Sequence, residues 1–136
     1  DRIAPLGTRP HTHSGAVSLA AVEIAELLAL KYVCVFTESG DSLRRVSRLR
    51  SSVPIMAFTP SEKIRNRLAL VWGAETYLVD PVKHTDQMIK QVEDVVVGLG
   101  KLKEGDELVV VAGTPPGVPG STNSLRVHRI GDPTHN

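Results

Sequence analysis

Residues 32–59 read YVCVFTESGDSLRRVSRLRSSVPIMAFT, and this stretch decides the fold. Tyr32–Thr37 is a β-branched and aromatic run that stops at Glu38-Ser39-Gly40-Asp41, the chemistry of a strand ending in a turn. From Ser42 to Leu49 the apolar residues Leu43, Val46 and Leu49 recur every third position, while Arg44, Arg45 and Arg48 take the other side, as in an amphipathic helix. Val53–Phe58 (VPIMAF) is again uninterrupted and apolar, which predicts a second buried strand. A strand, a helix and a strand in this order make a parallel pair joined by a right-handed crossover.

The same alternation continues outward. Thr59-Pro60-Ser61-Glu62 offers a hydroxyl cap, a proline at the first helical position and a glutamate three residues after the cap, so a third helix is predicted to start at Thr59. Ile64, Leu68 and Val71 form its apolar face, and Gly73 stops it before a strand over Glu75–Val79 that ends at Asp80-Pro81. Met88, Ile89, Val92, Val95, Val96 and Leu99 set the inner face of a helix over Thr85–Leu99. A turn at Lys103-Glu104-Gly105-Asp106 leads into a strand over Leu108–Ala112. In Leu125–Ile130, Leu and Val alternate with Arg126 and His128, the pattern of a half-covered edge strand with its polar residues outward. No helical pattern separates these last two strands, so a hairpin is predicted. The expected architecture is a three-layer α/β/α domain with a mixed five-stranded sheet, four strands parallel and the last antiparallel at one edge.

Ahead of this lies Ala16–Leu30 (AVSLAAVEIAELLAL), where only Ser18, Glu23 and Glu26 are polar. Such a helix is apolar around most of its circumference, and its outer side points to an interface with another subunit or domain; the plainer alternative is an Ala-rich helix with a modest exposed patch. Residues 1–13 read as an irregular lead-in, 14–131 as the domain and 132–136 as a tail.

The chain has 136 residues, 41% of them hydrophobic and 23% charged, the balance of one water-soluble domain. With 16 Lys and Arg against 15 Asp and Glu, a net charge of +1 provides no general attraction for nucleic acid, and no apolar stretch is long enough to predict a membrane partner. The single Cys34 excludes an internal disulfide and fits a reducing compartment, so cytoplasmic localisation is expected.

Two segments qualify as ligand sites, because open α/β sheets bind beyond the carboxyl ends of their strands. Thr37-Glu38-Ser39-Gly40-Asp41-Ser42 combines three hydroxyls, a glycine and the positive end of a helix dipole, which suits a phosphate. Arg44 and Arg45 reinforce an anion there and Glu38 and Asp41 oppose it; the plainer reading is a turn capped by Ser39 or Asp41. Gly113–Asn123 (GTPPGVPGSTN) is long for a hairpin and reads as a lid or as a plain exposed connection. His11-x-His13 lacks further ligands at metal-binding spacing, and Asp80, Asp86, Asp94 and Asp106 read as solvated surface. No nucleophile elbow or P-loop occurs, so the motifs describe a binding domain.

Taken together, T-x-S-G-x-S (Thr37–Ser42), A-x-T (Ala57, Thr59), W-G-x-E-x-x-x-V (Trp72–Val79) and G-S-T-N-x-x-x-V-H-x-I-G (Gly120–Gly131) resemble the C-terminal domain of bacterial-type pyruvate kinases from about Thr12 to Gly131. The resemblance implies an allosteric and oligomerisation domain of an enzyme that moves a phosphoryl group from phosphoenolpyruvate to ADP. The chemistry, with Mg2+ and K+, would belong to a separate barrel, so this domain needs no cofactor and is inactive alone. Thr37, Glu38, Ser39, Gly40, Asp41 and Ser42 then correspond to an effector-phosphate loop, and Gly117, Val118, Pro119 and Gly120 to an effector loop. The first helix falls in the region that contacts other subunits of a homotetramer. Asp41 stands where sugar-bisphosphate-responsive members often carry Arg, and Thr114-Pro115 replaces a Trp-Arg pair. Both departures favour AMP or a sugar monophosphate such as glucose 6-phosphate or ribose 5-phosphate over fructose 1,6-bisphosphate. A free-standing phospho-ligand module of the same fold is the alternative.

Overall fold

Apolar strands that need cover on both faces determine the layers. The structure, a computed structural model, describes residues 13–38, 40–49, 51–69, 74–112 and 124–133. In chain order the elements are α1 (His13–Leu27), β1 (Val33–Phe36), α2 (Asp41–Arg48), β2 (Ile55–Thr59), α3 (Glu62–Leu68), β3 (Ala74–Leu78), α4 (Thr85–Gly98), β4 (Glu107–Ala112) and β5 (Ser124–Arg129). The strands form one sheet in the order β3-β2-β1-β4-β5, the first four parallel and β5 antiparallel to β4, as the sequence pattern predicts.

Side-chain alternation divides the core. Val33, Val35, Ile55, Ala57, Val109 and Val111 face α1, α2 and α3, where they meet Ala21, Ala25, Leu43, Val46 and Leu68. Cys34, Phe36, Met56, Phe58, Leu108 and Val110 face α4 and pack on Met88, Ile89, Val92 and Val96. Each fully buried Val, Leu or Ile contributes about 1.5–3 kcal/mol, so these two layers supply the main driving force. All four described aromatic residues, Tyr32, Phe36, Phe58 and Tyr77, lie on the α4 side, where the rings of Phe58 and Tyr77 stack 5.7 Å apart.

Four local expectations are corrected. The third helix is capped by Ser61, whose hydroxyl accepts the Ile64 N–H at 3.2 Å, and not by Thr59. Thr59 remains in β2 because its extended backbone pairs with β3, and its hydroxyl accepts the Ser61 N–H instead. The first helix ends at Leu27, before Leu30, because Ala29 takes a left-handed conformation (φ 53°) that turns Leu30 back into the core. Leu99 is 51% exposed, since α4 ends at Gly98 and the chain turns away.

The fourth correction concerns β5. His128 pairs with Leu108 and therefore shares its α4-facing side, where it is buried, while Val127 on the opposite side is 38% exposed. A buried imidazole is tolerated there because Glu93 of α4 supplies an acceptor 2.8 Å from its Nε2. Among the described residues, no helix is long and apolar enough to cross a membrane.

Candidate functional site

The sheet order creates one topological switch point. From β1 the chain steps through β2 to β3 on one side, then returns through α4 to β4 on the other side of β1. The connections that leave β1 and β4 therefore diverge, and the crevice between them lies beyond the strands' carboxyl ends, where ligands of doubly wound sheets bind. Thr37 follows β1 at this point. The segment 113–123 departs from Ala112, which pairs with Ser124 at the same end.

The turn after β1 is built from the backbone outward. Thr37 is buried, donates its N–H to the Phe58 carbonyl at 2.9 Å, and accepts the Gly40 N–H on its hydroxyl at 2.7 Å. This closes a tight turn in which Gly40, with φ 94°, forms the N-cap of α2. The cap position belongs to Gly40, so neither Ser39 nor Asp41 occupies it. A side chain would also be crowded there apart from its φ: a Cβ at Gly40 would sit 3.1 Å from the Arg44 guanidinium and 3.1 Å from a Leu68 methyl. The Arg44 guanidinium thus lies against the turn, alongside the positive end of the α2 dipole. Ser42 is buried in the first turn of that helix. Burial pushes the Glu38 carboxyl above its ordinary value, which marks partial removal from water at the same turn.

Thr37, Gly40 and Arg44 meet in this turn, with Glu38 and Ser42 adjoining them in the chain. Ser39, the Asp41 side chain, Thr114-Pro115, and Gly117, Val118, Pro119 and Gly120 lie outside the described residues, as does His11. Sequence reasoning missed Leu68 as a wall of the turn, because α3 reaches it only through tertiary packing.

Elsewhere, Glu93 Oε1 accepts from both His128 Nε2 (2.8 Å) and the Gly131 N–H (3.0 Å). Burial pushes the Glu93 carboxyl up, but the Gly131 N–H and the His128 ring outweigh it and hold it below its ordinary value. Asp106, expected as solvated surface, instead organises its turn: its carboxylate accepts from the Lys103 N–H and from Lys31. A groove of about 730 Å³ runs beside α1, lined by Ala20, Glu23, Ile24, Leu27, Ala29 and Val53. Leu27 and Leu28 at its end are 84% and 54% exposed. Cys34 is buried and its thiol is pushed up by burial, so it is protonated and inert at neutral pH. No group of three or more His, Cys, Asp or Glu gathers among the described residues.

Comparison with known proteins supplies the context. The profile of the pyruvate kinase alpha/beta domain matches residues 15–128. The pyruvate kinase of Corynebacterium glutamicum is 45% identical over 133 residues, covering 98% of this chain and 28% of that protein. The pyruvate kinase of Mycobacterium tuberculosis is 46% identical over 128 residues, covering 94% of this chain and 27% of that protein. Among solved structures, Cryptosporidium parvum pyruvate kinase in complex with ADP superimposes with a TM-score of 0.79 at 26% identity, over 93% of this chain and 25% of that one. The chain thus spans little more than a quarter of the length of these relatives. With the matching profile covering both core layers and the turn after β1, the chain belongs to the pyruvate kinase alpha/beta domain family.

Proposed function

We propose that this chain is the regulatory and oligomerisation domain of a cytoplasmic pyruvate kinase, and that it binds a phosphorylated effector at the turn over residues 37–42. The observation that carries this reading is the closed turn itself: Gly40 in a left-handed conformation on Thr37 Oγ1, opening α2 with the Arg44 guanidinium against it at the switch point of the sheet. Backbone N–H groups at a helix N-terminus and a guanidinium both favour a phosphoryl group. Asp41 in place of an arginine and Thr114-Pro115 in place of a Trp-Arg pair support AMP or a sugar monophosphate over fructose 1,6-bisphosphate. Gly117–Gly120, in the connection that departs from β4 at the same sheet end, is the proposed second contact.

In this reading, phosphoryl transfer from phosphoenolpyruvate to ADP belongs to the part of the protein that the relatives possess beyond this chain. Mg2+ and K+ would be held in that part, and the 136-residue chain alone is inactive. The apolar α1 face, with Leu27 and Leu28 exposed beside its groove, is the proposed contact with other subunits of a homotetramer. An effector then acts by binding one arrangement of subunits more tightly than another.

Titration calorimetry with AMP, glucose 6-phosphate, ribose 5-phosphate and fructose 1,6-bisphosphate tests this. A monophosphate should bind, and Ser42→Asp should weaken it at least about tenfold by bringing a carboxylate to the phosphate. Absence of binding by all four, or binding indifferent to Ser42→Asp, refutes the assignment of the turn.

A further inference from the structure

From the start of α2 to the end of α3, residues 41–68, the chain carries seven Lys and Arg and two acids, Asp41 and Glu62, whereas residues 74–133 carry six Lys and Arg and nine acids. The near-neutral total therefore conceals two halves of opposite sign. The basic half is concentrated on α2 and α3, which are neighbours because they cross between adjacent strands on one side of the sheet. Arg48, Lys63, Arg65 and Arg67 are exposed there, with Arg44 and Arg45 half-buried.

Helix stability does not explain this arrangement. Arg44 and Arg48, and likewise Lys63 and Arg67, are like charges four residues apart, which disfavours each helix. The dipole rewards Arg48 and Arg67 in the last turns but opposes Arg44 and Lys63 in the first. Elsewhere Lys90, Lys101 and Arg129 pair with Asp94, Glu75 and Asp132, and Lys31 pairs with Asp106. Among the described residues, no carboxylate forms an ion pair with Arg45, Arg48, Lys63 or Arg67, and the Arg45 Nη1 is buried without a hydrogen-bond partner.

We infer that the α2–α3 face is a docking surface for a short acidic segment of a partner protein. Its charge selects an anionic partner, and its dimensions limit the partner's length, since α2 is about 12 Å long. A long polyanion would run on to the acidic half of the domain and be repelled there. The face also lacks described aromatic residues for base stacking, since all four lie on the α4 side. An acidic helix or extended segment of matching length meets neither obstacle, and its carboxylates suit the fork geometry of the arginines.

A fluorescently labelled Glu-rich helical peptide of about eight residues, the length of α2, is the probe, with anisotropy measured on the 136-residue chain at low and at physiological salt. The peptide should bind at low salt and more weakly as salt rises. The triple variant Arg48→Glu, Lys63→Glu, Arg67→Glu should lose about tenfold or more, while Lys83→Glu on the other half leaves binding unchanged. Should charge reversal lower the melting temperature, the neutral triple variant Arg48→Gln, Lys63→Gln, Arg67→Gln provides the same comparison. No binding at low salt, an equal loss in Lys83→Glu, or tighter binding of single-stranded DNA or phosphatidylserine vesicles than of the peptide overturns the inference.

Discussion

Replacing Glu93 by Ala removes the acceptor that ties β5 to α4, and its cost follows from the geometry. The Glu93 carboxylate receives two N–H donors, and the two behave differently when it is lost. Gly131 is exposed, so water replaces the carboxylate at its N–H. The His128 side chain is only 2% exposed and has no such substitute. A hydrogen bond to a charged group contributes about 1.5–3 kcal/mol, and a buried donor left without an acceptor costs about 1–3 kcal/mol, so Glu93→Ala should destabilise the domain by about 2–3 kcal/mol. For a domain of this size that corresponds to a fall in melting temperature of about 6–10 °C. Urea and thermal unfolding followed by circular dichroism measure this directly. A double-mutant cycle with His128→Ala isolates the pair, and its coupling should reach about 1.5–3 kcal/mol, well above the value for exposed ion pairs. A coupling below about 0.5 kcal/mol would mean that the buried pair acts like a surface one, and the account of β5 would be wrong.

Three further outcomes follow from particular groups. Because the Glu93 carboxyl is held below its ordinary value, its contribution is complete above the ordinary carboxylate range and is lost as pH falls through the depressed folded value; Glu93→Gln should flatten this acid limb of a stability–pH curve. Gly40→Ala should cost about 1–2 kcal/mol, from the left-handed φ together with the crowding against Arg44 and Leu68, and a heat-capacity melt reads it. Ser61→Ala should cost about 1 kcal/mol in urea unfolding through loss of the α3 cap, and an equal or larger loss in Thr59→Ser, which keeps its hydroxyl, would contradict the cap assignment.

The candidate site was legible to the extent that its chemistry is local. Thr37, Gly40 and Ser42 are close in sequence, and a strand that stops at a glycine before an amphipathic helix can bring them together in few ways. Leu68 was not legible as the wall of that turn, because its position depends on how α3 packs on β2 and β3 beside the turn. The same contrast explains the corrected cap. Thr59 and Ser61 both satisfy the local capping pattern, and only the pairing of β2 with β3 holds Thr59 extended and passes the cap to Ser61.

By itself the sequence determined the element order, the parallel and antiparallel strands and the two core faces, because periods of two and of about 3.6 in apolar residues record which surfaces must leave water. Polar groups carry no such periodic record, since burial of a histidine or an arginine depends on a partner distant in the chain. Only tertiary structure therefore placed Glu93 on His128 and Lys101 on Glu75, and left Arg45, Arg48, Lys63 and Arg67 without an ion-pair partner among the described residues.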